Sequence, residues 1–469
     1  AEREGIPTAE LVARNTTYFQ ALRDQLDLSY DDFIRTSADP RHGVGVRRLW
    51  EACAANGDIY TRPYRGLYCV GCEQFYTEDE LTPDGLCPEH LTRPDVVEEE
   101  NYFFRLSRYQ QQLEALIASD TLRIVPQTRK NEVLSFIRRG LQDFSVSRSR
   151  ARARDWGVPV PGDPSQVMYV WFDALGNYIT ALGYADDGPL YERYWVHNPD
   201  RVHVIGKGII RFHAVYWPAM LLSAGVPLPT TIFVHGYITA SGEKMSKSLG
   251  NVVDPAELAE RYGADRLRYY LLRAIPATED GDFTLERFIR TCNADLADRL
   301  GNLLNRVVSM VGRYYGGEVP APQGEEAIDQ PLVEMARGLR ERLGGALARF
   351  APHDALAAVW ELVDAANRYV EETAPWALAK QRKAGPESAA AEARLATVLY
   401  NLCEALRLIA YACAPFIPDA SASIARQIGL DLETEADWES ETAWGRYLAG
   451  TRVQPGAVLF AKEEVPEQD

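Results

Sequence analysis

The chain has 469 residues, of which 46% are apolar and 25% are charged, the composition of an ordinary globular protein of about three domains. The 50 Lys and Arg against 67 Asp and Glu give a net charge of −17, which excludes a protein that binds nucleic acid through overall positive charge. No run of 18 apolar residues occurs, so no membrane span is expected. The seven Cys follow no disulfide framework, and this favours a reducing cytoplasm.

The first part of the chain is predicted to mix helices and strands. Apolar residues recur near helical spacing after residue 8, and an Asp-Pro pair gives a second helix start. In chain order we expect a helix over 8–26, a short strand over 30–36, a helix from Asp39-Pro40 to Asn56, a loop-rich segment over 62–92 and a helix over 101–124.

The pattern changes near residue 143. Short apolar runs at 167–172, 201–205 and 231–234 alternate with helix-length segments, which predicts a parallel, doubly wound sheet. Residues 284–428 are almost entirely helical in pattern and predict a bundle. The fold class is therefore α/β followed by all-α.

Four potential metal ligands lie close together in the loop-rich segment. Cys69 and Cys72 form one pair, and Cys87 and His90 form a second pair. Three thiolates and one imidazole suit the tetrahedral preference of Zn²⁺ and close its coordination shell. We expect a structural zinc knuckle that folds a segment with little apolar material.

A cationic loop follows the predicted strand at 231–234. Residues 241–251 hold Lys244 and Lys247 among Ser and Gly residues. Such a loop can bring ammonium groups onto a polyphosphate and stabilise the charge of a leaving group. Taken alone, the pattern fits a solvated turn equally well.

The segment Lys244-Met245-Ser246-Lys247-Ser248 is letter for letter the KMSKS motif of class I aminoacyl-tRNA synthetases. Over nearly its whole length the chain resembles the methionyl-tRNA synthetase family. The matching stretches are residues 64–69, 101–104, 143–148, 169–174, 212–213, 301–303 and 374–376.

The resemblance implies a class I Rossmann-like sheet with an inserted zinc-knuckle connective domain and a helical anticodon-binding bundle. The implied domains are the remainder of the first Rossmann half at 1–60, the connective domain at 61–142, the second Rossmann half at 143–230, the KMSKS loop and stem-contact region at 231–283, and the anticodon-binding domain at 284–469.

The resemblance also implies the activity, which is ATP-dependent activation of methionine and its transfer to tRNA(Met). Mg²⁺ would accompany ATP, and Lys244 and Lys247 would be catalytic. The implied site residues are Trp171, Ala174, Tyr178 and His213 for methionine; Gly206, His235, Ile238, Lys247 and Arg148 for ATP; and Asn302, Arg306, Pro375 and Trp376 for the anticodon, with Asp364 and Glu371 as acids that repel wrong tRNAs.

Simpler explanations of the same residues stay open from the sequence alone. Trp171, Tyr178 and Trp376 could be core packing, and Asn302 with Arg306 could be a solvated helix face. The basic run at 148–154 could follow phosphates or be a solvated loop.

The sequence departs from the family in two places. None of its seven His lies in a His-x-x-His or His-x-Gly-His pattern, so we expect that the first strand, helix and HIGH-type motif are missing from this chain. Gly206-Lys207-Gly208 stands where many relatives have Gly-Lys-Asp, so Gly208 has no side-chain role.

Two other functions compete with the methionine ligase. One is another class I ligase, such as the cysteinyl-tRNA synthetase, whose catalytic zinc would need an open position. The other is a non-catalytic tRNA-binding protein derived from a synthetase. Whichever holds, we expect a cytoplasmic monomer with no membrane partner.

Overall fold

The computed structural model describes residues 1, 4–71, 74–76, 78–240, 242–245, 252–383, 388–432 and 437–465. It separates into two compact units. The mixed unit is Asp31–His235, and the helical unit is Ala1–Tyr30 together with Gly236–Asp469.

The helices of both units are numbered in chain order. They are α1 Thr8–Gln25, α2 Pro40–Ala55, α3 Gln110–Ala118, α4 Gln127–Arg138, α5 Val170–Leu175, α6 Asn177–Thr180, α7 Pro189–Tyr191, α8 Trp217–Ala224, α9 Pro255–Tyr262, α10 Ala264–Arg273, α11 Leu285–Cys292, α12 Asn302–Tyr315, α13 Gln330–Arg337, α14 Leu339–Ala348, α15 Pro352–Thr373, α16 Pro375–Gln381, α17 Ser388–Cys413, α18 Pro418–Gln427 and α19 Trp438–Glu441.

The strands are short apart from one long pair. They are β1 Ile59–Cys69, β2 Gln74–Tyr76, β3 Asp95–Phe104, β4 Arg123–Val125, β5 Phe144–Ser145, β6 Ser147–Ser149, β7 Pro159–Val160, β8 Asp163–Met168, β9 Val202–Gly206, β10 Thr231–His235, β11 Ile238–Ala240, β12 Glu243–Lys244 and β13 Gly281–Phe283.

A parallel sheet organises the mixed unit. Its strand order is β4-β10-β9, and β10 is parallel to both neighbours. Ile232 and Val234 of β10 are buried in the core of this unit. The predicted parallel sheet is therefore present, with β9 and β10 at the apolar runs that indicated it.

A long antiparallel hairpin forms a second sheet in the same unit. β1 and β3 pair from Ile59 opposite Phe104 to Tyr68 opposite Asp95, in the order β2-β1-β3-β5. Cys69 ends β1, so the hairpin carries the knuckle segment at its tip. A third sheet has the order β6-β8-β7.

The helical unit is built around α17. Its core brings α12, α15 and α17 into one apolar cluster. By length and composition α17 could cross a membrane, but 94% of that window is buried inside the protein, as expected for a core helix. A small sheet, β12-β11-β13, lies before this core in the chain. The predicted helical region at 284–428 is confirmed.

Four predicted elements differ from the structure. The segment predicted as loop-rich over 62–92 begins inside β1, which runs to Cys69, and it also holds β2. Residues 30–36 form no strand; the segment is irregular, and Asp32 accepts a hydrogen bond there from Arg41 Nη1 at 2.9 Å. The apolar run at 167–172 divides at Tyr169, where β8 has ended and α5 begins, since such a run cannot distinguish a strand from a buried helix. The helix predicted at 101–124 begins with the end of β3 instead.

Candidate active site and RNA-binding surface

Three of the four predicted methionine residues lie together in the mixed unit. The Tyr178 hydroxyl is 2.9 Å from His213 Nε2, and the Trp171 ring lies 6.1 Å from the His213 ring, centroid to centroid. Trp171 also stacks on Phe212 at 4.1 Å with an interplanar angle of 8°. Ala174 is half-buried on α5 and lines a neighbouring cavity of about 640 Å³.

Local backbone geometry turns His213 toward this group. Residues Phe212–Tyr216 form a π-helical turn in which the Trp217 N–H bonds to the Phe212 carbonyl. Pro218 follows and has no N–H of its own to continue the regular α pattern. Such π turns are often found at functional sites.

The hydrogen bonds of His213 determine its tautomer. Nδ1 is 2.9 Å from the Ile209 carbonyl, which can only accept, so Nδ1 carries the proton. Nε2 of the neutral ring therefore accepts from the Tyr178 hydroxyl. Burial lowers the pKa of His213 and raises the pKa of Tyr178 to about 12, so both groups are neutral near pH 7.

A second histidine, absent from the sequence prediction, supports Tyr178. The rings of His203 and Tyr178 are 3.9 Å apart, and Trp217 Nε1 donates to His203 Nε2 at 3.1 Å. Burial, with a smaller effect of His213, lowers the pKa of His203 to about 3. Its signal in the sequence was a His at an inward position of the predicted strand 201–205.

His42 was also missed as a neighbour of the methionine residues. It is fully buried, with Nε2 2.5 Å from Asp173 Oδ1 and Nδ1 2.9 Å from Thr180 Oγ1. Asp173 lies between Trp171 and Ala174 in sequence. No spacing in the sequence links His42 to a carboxylate 131 residues away.

Two predicted ATP residues are neighbours in the parallel sheet. Gly206 and His235 are the last residues of β9 and β10 and pair in register. The carboxyl ends of parallel strands are where such sheets bind nucleotides. Gly208 lies in the 3₁₀ turn that follows β9.

The other predicted ATP and catalytic residues are more scattered. Arg148 lies on β6 with its guanidinium 4.2 Å from the Tyr68 ring, and its buried Nη2 has no hydrogen-bond partner among the residues that the structure describes. Ile238 belongs to the helical unit, on β11. Lys244 lies on β12, and its backbone pairs with Thr239 of β11. The Lys244 side chain and all of Lys247 lie outside the described residues.

Three of the four predicted metal ligands converge. Cys69, Cys87 and His90 place their ligand atoms within 4.8 Å of one another, with His90 Nδ1 4.0 Å from each sulfur. A Cβ on Gly71 would lie 2.7 Å from the His90 ring, so glycine allows the ring this close. Cys72 lies outside the described residues.

Cys87 has an unusually acidic thiol. Burial acts to raise its pKa, but hydrogen bonds from the His90 backbone and the Tyr76 hydroxyl more than offset this and leave the pKa at about 6. The Tyr76 hydroxyl is 3.6 Å from the sulfur. A thiol of this acidity reaches the thiolate form that binds metals at neutral pH.

The predicted anticodon residues lie on two helices of the helical unit. Asn302 and Arg306 are on α12, and Trp376 is the second residue of α16, with 46% of its surface exposed. The Arg306 guanidinium lies 5.9 Å from the Trp376 ring and pairs with Glu371 at 2.6 Å. Pro375 is buried and supports the helix start, whereas Trp376 is not a core residue.

Of the two predicted acids, Asp364 is held by an arginine. Arg299 Nε donates to Asp364 Oδ1 at 2.7 Å, and Arg299 Nη2 bonds to the second carboxylate oxygen. Glu371 pairs with Arg306. Both acids therefore lie on the side of the bundle that carries Arg299 and Arg306.

Comparison with known proteins agrees with both halves of the chain. The family described as tRNA synthetases class I (M) matches residues 1–93 and 90–308, and the family described as anticodon binding domain of methionyl tRNA ligase matches residues 322–469.

The chain spans most of the length of individual relatives. The methionine–tRNA ligase of Caldanaerobacter subterraneus is 43% identical over all of this chain and 71% of that protein. The Brucella suis methionine–tRNA ligase is 45% identical over 90% of this chain and 80% of that protein.

Solved structures agree with these sequence matches. The Mycobacterium tuberculosis methionyl-tRNA synthetase in complex with methionyl-adenylate superposes with a TM-score of 0.91 at 42% identity, covering 98% of this chain and 88% of that one. Its apo form gives 0.88 at 41% identity. Neither a cysteinyl ligase nor a non-catalytic derivative is favoured. The chain belongs to the methionine–tRNA ligase family of class I aminoacyl-tRNA synthetases.

Proposed function

We propose that this protein joins methionine to tRNA(Met) in two steps. The carboxylate of methionine attacks the α-phosphorus of ATP and releases pyrophosphate, and a hydroxyl of the terminal ribose then takes methionine from the adenylate. The observation that carries the proposal is the contact of Tyr178 with His213 beside the Trp171 ring.

The methionine pocket is formed by Trp171, Ala174, Tyr178 and His213. A thioether is apolar, polarizable and only a weak acceptor, so it suits aromatic walls better than charged groups. Tyr178 and His213 are hydrogen-bonded to each other and are neutral, so the bound methionine side chain meets no buried charge. This chemistry favours a straight thioether over polar amino acids.

ATP is held by Gly206, His235, Ile238, Arg148 and Lys247. The register of Gly206 with His235 supports this, because two strand ends meet where the fold class binds nucleotides. Mg²⁺ bound with ATP would neutralise phosphate charge. Lys244 and Lys247 stabilise the charge that develops as pyrophosphate leaves, and no covalent enzyme intermediate is required.

Cys69, Cys72, Cys87 and His90 would hold a structural Zn²⁺ ion. Tetrahedral bonds of about 2.0–2.3 Å put donor atoms roughly 3.6 Å apart, close to the 4.0 Å between His90 Nδ1 and each thiol. The acidic Cys87 thiol supports the same assignment. Four protein ligands leave no open position for catalysis.

The anticodon is read by Asn302, Arg306, Pro375 and Trp376. Recognition of single-stranded RNA needs an exposed ring on which an unstacked base can lie, and Trp376 offers one. Arg306 beside that ring supplies donors to base edges or phosphates. Glu371 and Asp364 add negative charge that disfavours wrong tRNAs.

The protein acts as a cytoplasmic monomer in this proposal, and its domain boundaries stay those predicted from the sequence. Among the described residues, Cys53, Cys403 and Cys413 are buried free thiols, which supports a reducing compartment. Light scattering of the purified enzyme tests the monomer.

Methionine-dependent exchange of pyrophosphate into ATP tests the first step. Of the common amino acids, only methionine should support rapid exchange by the full-length enzyme. Lys247→Ala should lower the exchange rate at saturation while methionine affinity changes little, because Lys247 acts on charge present only in the transition state. Loss of methionine affinity with an unchanged saturated rate would refute the role of Lys247.

A further inference from the structure

A buried histidine contacts the helix that carries part of the proposed methionine pocket. His42 of α2 is fully buried, and its Nε2 lies 2.5 Å from Asp173 Oδ1 of α5. Only 15% of the Asp173 side chain is exposed. Trp171 and Ala174, two residues of the proposed pocket, lie on the same helix as Asp173. The hydrogen bond therefore holds the helix that supplies one wall of that pocket.

The second nitrogen of the same ring reaches α6. Nδ1 of His42 lies 2.9 Å from Oγ1 of Thr180, which is fully buried. Thr180 follows Tyr178 by two residues in a helix of four, and α5 has six residues. Helices this short have little stability of their own, so tertiary contacts set their orientation. One imidazole thus connects the helix of Trp171 to the helix of Tyr178.

Close packing of α2 lets the ring reach both short helices. A Cβ on Gly45, which lies one turn after His42, would be 2.5 Å from Cγ2 of Thr180, so no larger residue fits between α2 and α6. Trp50 of α2 meets Phe172 of α5 edge to face, with ring centroids 5.1 Å apart. The bridge made by His42 is therefore embedded in a packed interface.

The hydrogen-bond roles of the ring follow from its partners. An ionised carboxylate only accepts, so Nε2 of His42 carries a proton and donates to Asp173. The Thr180 hydroxyl can donate or accept, so Nδ1 is satisfied with or without a proton. Hydrogen bonds to charged groups are the stronger ones, so the bond to Asp173 should contribute more to the position of α5 than the bond to Thr180 contributes to that of α6.

We propose that His42 and Asp173 form a positioning pair, which fixes α5 against α2 and α6 and so sets the width of the methionine pocket. The proposal rests on the proposed function. Neither residue belongs to the proposed pocket, and both act through Trp171, Ala174 and Tyr178. The pair controls methionine affinity and not the rate of adenylate formation, because a pocket of the wrong width weakens binding of substrate and transition state alike.

Two substitutions of His42 separate its two hydrogen bonds. The amide nitrogen of glutamine lies where Nε2 of histidine does, so His42→Gln keeps the donor to Asp173. The shorter amide of asparagine matches Nδ1 instead, so His42→Asn keeps only the partner of Thr180. Methionine-dependent pyrophosphate exchange by the full-length enzyme gives kcat, KM for methionine and KM for ATP for each form.

His197 offers a matched control in the same unit. Its side chain is 74% exposed, and its Nε2 lies 3.3 Å from a carboxylate oxygen of Glu192. A surface pair of this kind contributes little to stability. His197→Gln and His197→Asn make the same chemical changes at an exposed pair, and we expect both to keep KM for methionine within twofold of the unsubstituted enzyme.

We expect His42→Asn to raise KM for methionine about tenfold, with kcat within threefold of the unsubstituted enzyme. His42→Gln should raise KM for methionine less than threefold, because the bond to Asp173 is kept. KM for ATP should stay within twofold in both variants, since Gly206 and His235 lie at the ends of paired strands and not on α5 or α6.

Three outcomes would overturn the proposal. They are an equal KM for methionine in His42→Gln and His42→Asn, a fall in kcat without a rise in KM for methionine, and a rise in KM for ATP as large as that for methionine. If either variant fails to fold, Asp173→Asn, which keeps an acceptor for Nε2, and Asp173→Leu, which does not, decide by the same limits. Failure of the unsubstituted enzyme to exchange pyrophosphate with methionine would instead refute the proposed function.

Discussion

The Tyr178 hydroxyl donates to Nε2 of His213 at 2.9 Å, and Nδ1 of the same ring donates to the Ile209 carbonyl at 2.9 Å. Each polar atom of this buried imidazole therefore has a partner before any substrate binds. An aromatic pocket with a satisfied polar pair can take an apolar thioether without the cost of burying an unpaired charge.

Tyr178→Phe tests this relationship. It leaves Nε2 of His213 buried and unsatisfied, which costs about 1–3 kcal/mol. We expect KM for methionine to rise about tenfold and the unfolding free energy to fall. Tyr194→Phe is the control, since its side chain is 45% exposed. Equal effects of the two changes on KM would contradict the assignment.

The burial of His203 lowers the free energy of unfolding at acidic pH. Its pKa is about 3 in the folded protein, mainly through burial, against about 6.5 in the unfolded chain. Between these two pKa values the unfolded chain binds more protons than the folded protein. The unfolding free energy therefore rises with pH up to about 6.5 and decreases as pH falls, by up to about 1.4 kcal/mol per pH unit. His203→Gln keeps an acceptor for Trp217 and should flatten this slope. Urea unfolding between pH 4 and 8 measures it, and an unchanged slope would show that His203 is not its source.

Asp265 has the opposite effect, because its contribution to the free energy of unfolding decreases as pH rises. It is 6% exposed, and its pKa is raised to about 6 by burial and by Asp419, against hydrogen bonding from the Ala420 backbone and the charge of Arg268. A carboxyl whose pKa is raised by folding is favourable when protonated, and that advantage is lost as pH rises through about 6. The Asp27 carboxylate lies in the same cluster.

Asp265→Asn should therefore raise the unfolding free energy by about 1–3 kcal/mol at pH 8 and by little at pH 4. The amide oxygen can still accept from the Ala420 N–H, which the native side chain does at 2.6 Å. Glu334→Gln, on the exposed face of α13, is the control and should change little at either pH. Destabilisation of Asp265→Asn at pH 8 would show that the charged form is the one the fold favours.

The knuckle should depend on zinc. Cys87→Ser is expected to remove most bound zinc and to lower the melting temperature, because the free energy of metal binding at such a site stabilises the folded segment. Elemental analysis of the purified protein measures this. Cys292→Ser, a buried free thiol in the helical unit, should keep full zinc content. Zinc-free unsubstituted protein with an intact melting transition would refute the site.

Trp376→Ala should weaken binding of tRNA with a methionine anticodon by about 1–3 kcal/mol, the usual contribution of one stacked base. Trp438→Ala, a change at a 37% exposed ring of the same unit, provides the control. Filter binding at fixed salt compares tRNA with matched and altered anticodons. If both tRNAs lose affinity equally, Trp376 contributes contact without anticodon reading.

Local patterns were sufficient for the elements whose start or core is marked in the sequence itself. The helix from Asp39 to Asn56 is confirmed as α2 because a capping Asp and a following Pro start it, and β9 and β10 are confirmed because apolar runs between turns indicate buried strands. The strand predicted at 30–36 was wrong, since a candidate strand needs a partner that local sequence does not specify.

The site illustrates the same limit. Trp171, Tyr178 and His213 were named from a family resemblance, and their contact follows from the sequence only through that resemblance. His203 and His42 were missed because each acts through one buried partner distant in sequence, Trp217 and Asp173 respectively. A pairing of this kind is decided by tertiary packing, which a single sequence does not encode at any fixed spacing.

Charging of tRNA by the full-length enzyme tests the proposed function most directly. Purified tRNA with a methionine anticodon is incubated with ATP, Mg²⁺ and labelled methionine, and acid-precipitable label is measured against cysteine and the other amino acids. We predict that methionine alone is attached, and only to tRNA with the methionine anticodon. Attachment of a different amino acid, or tRNA binding without any charging, would contradict the function of a methionine–tRNA ligase.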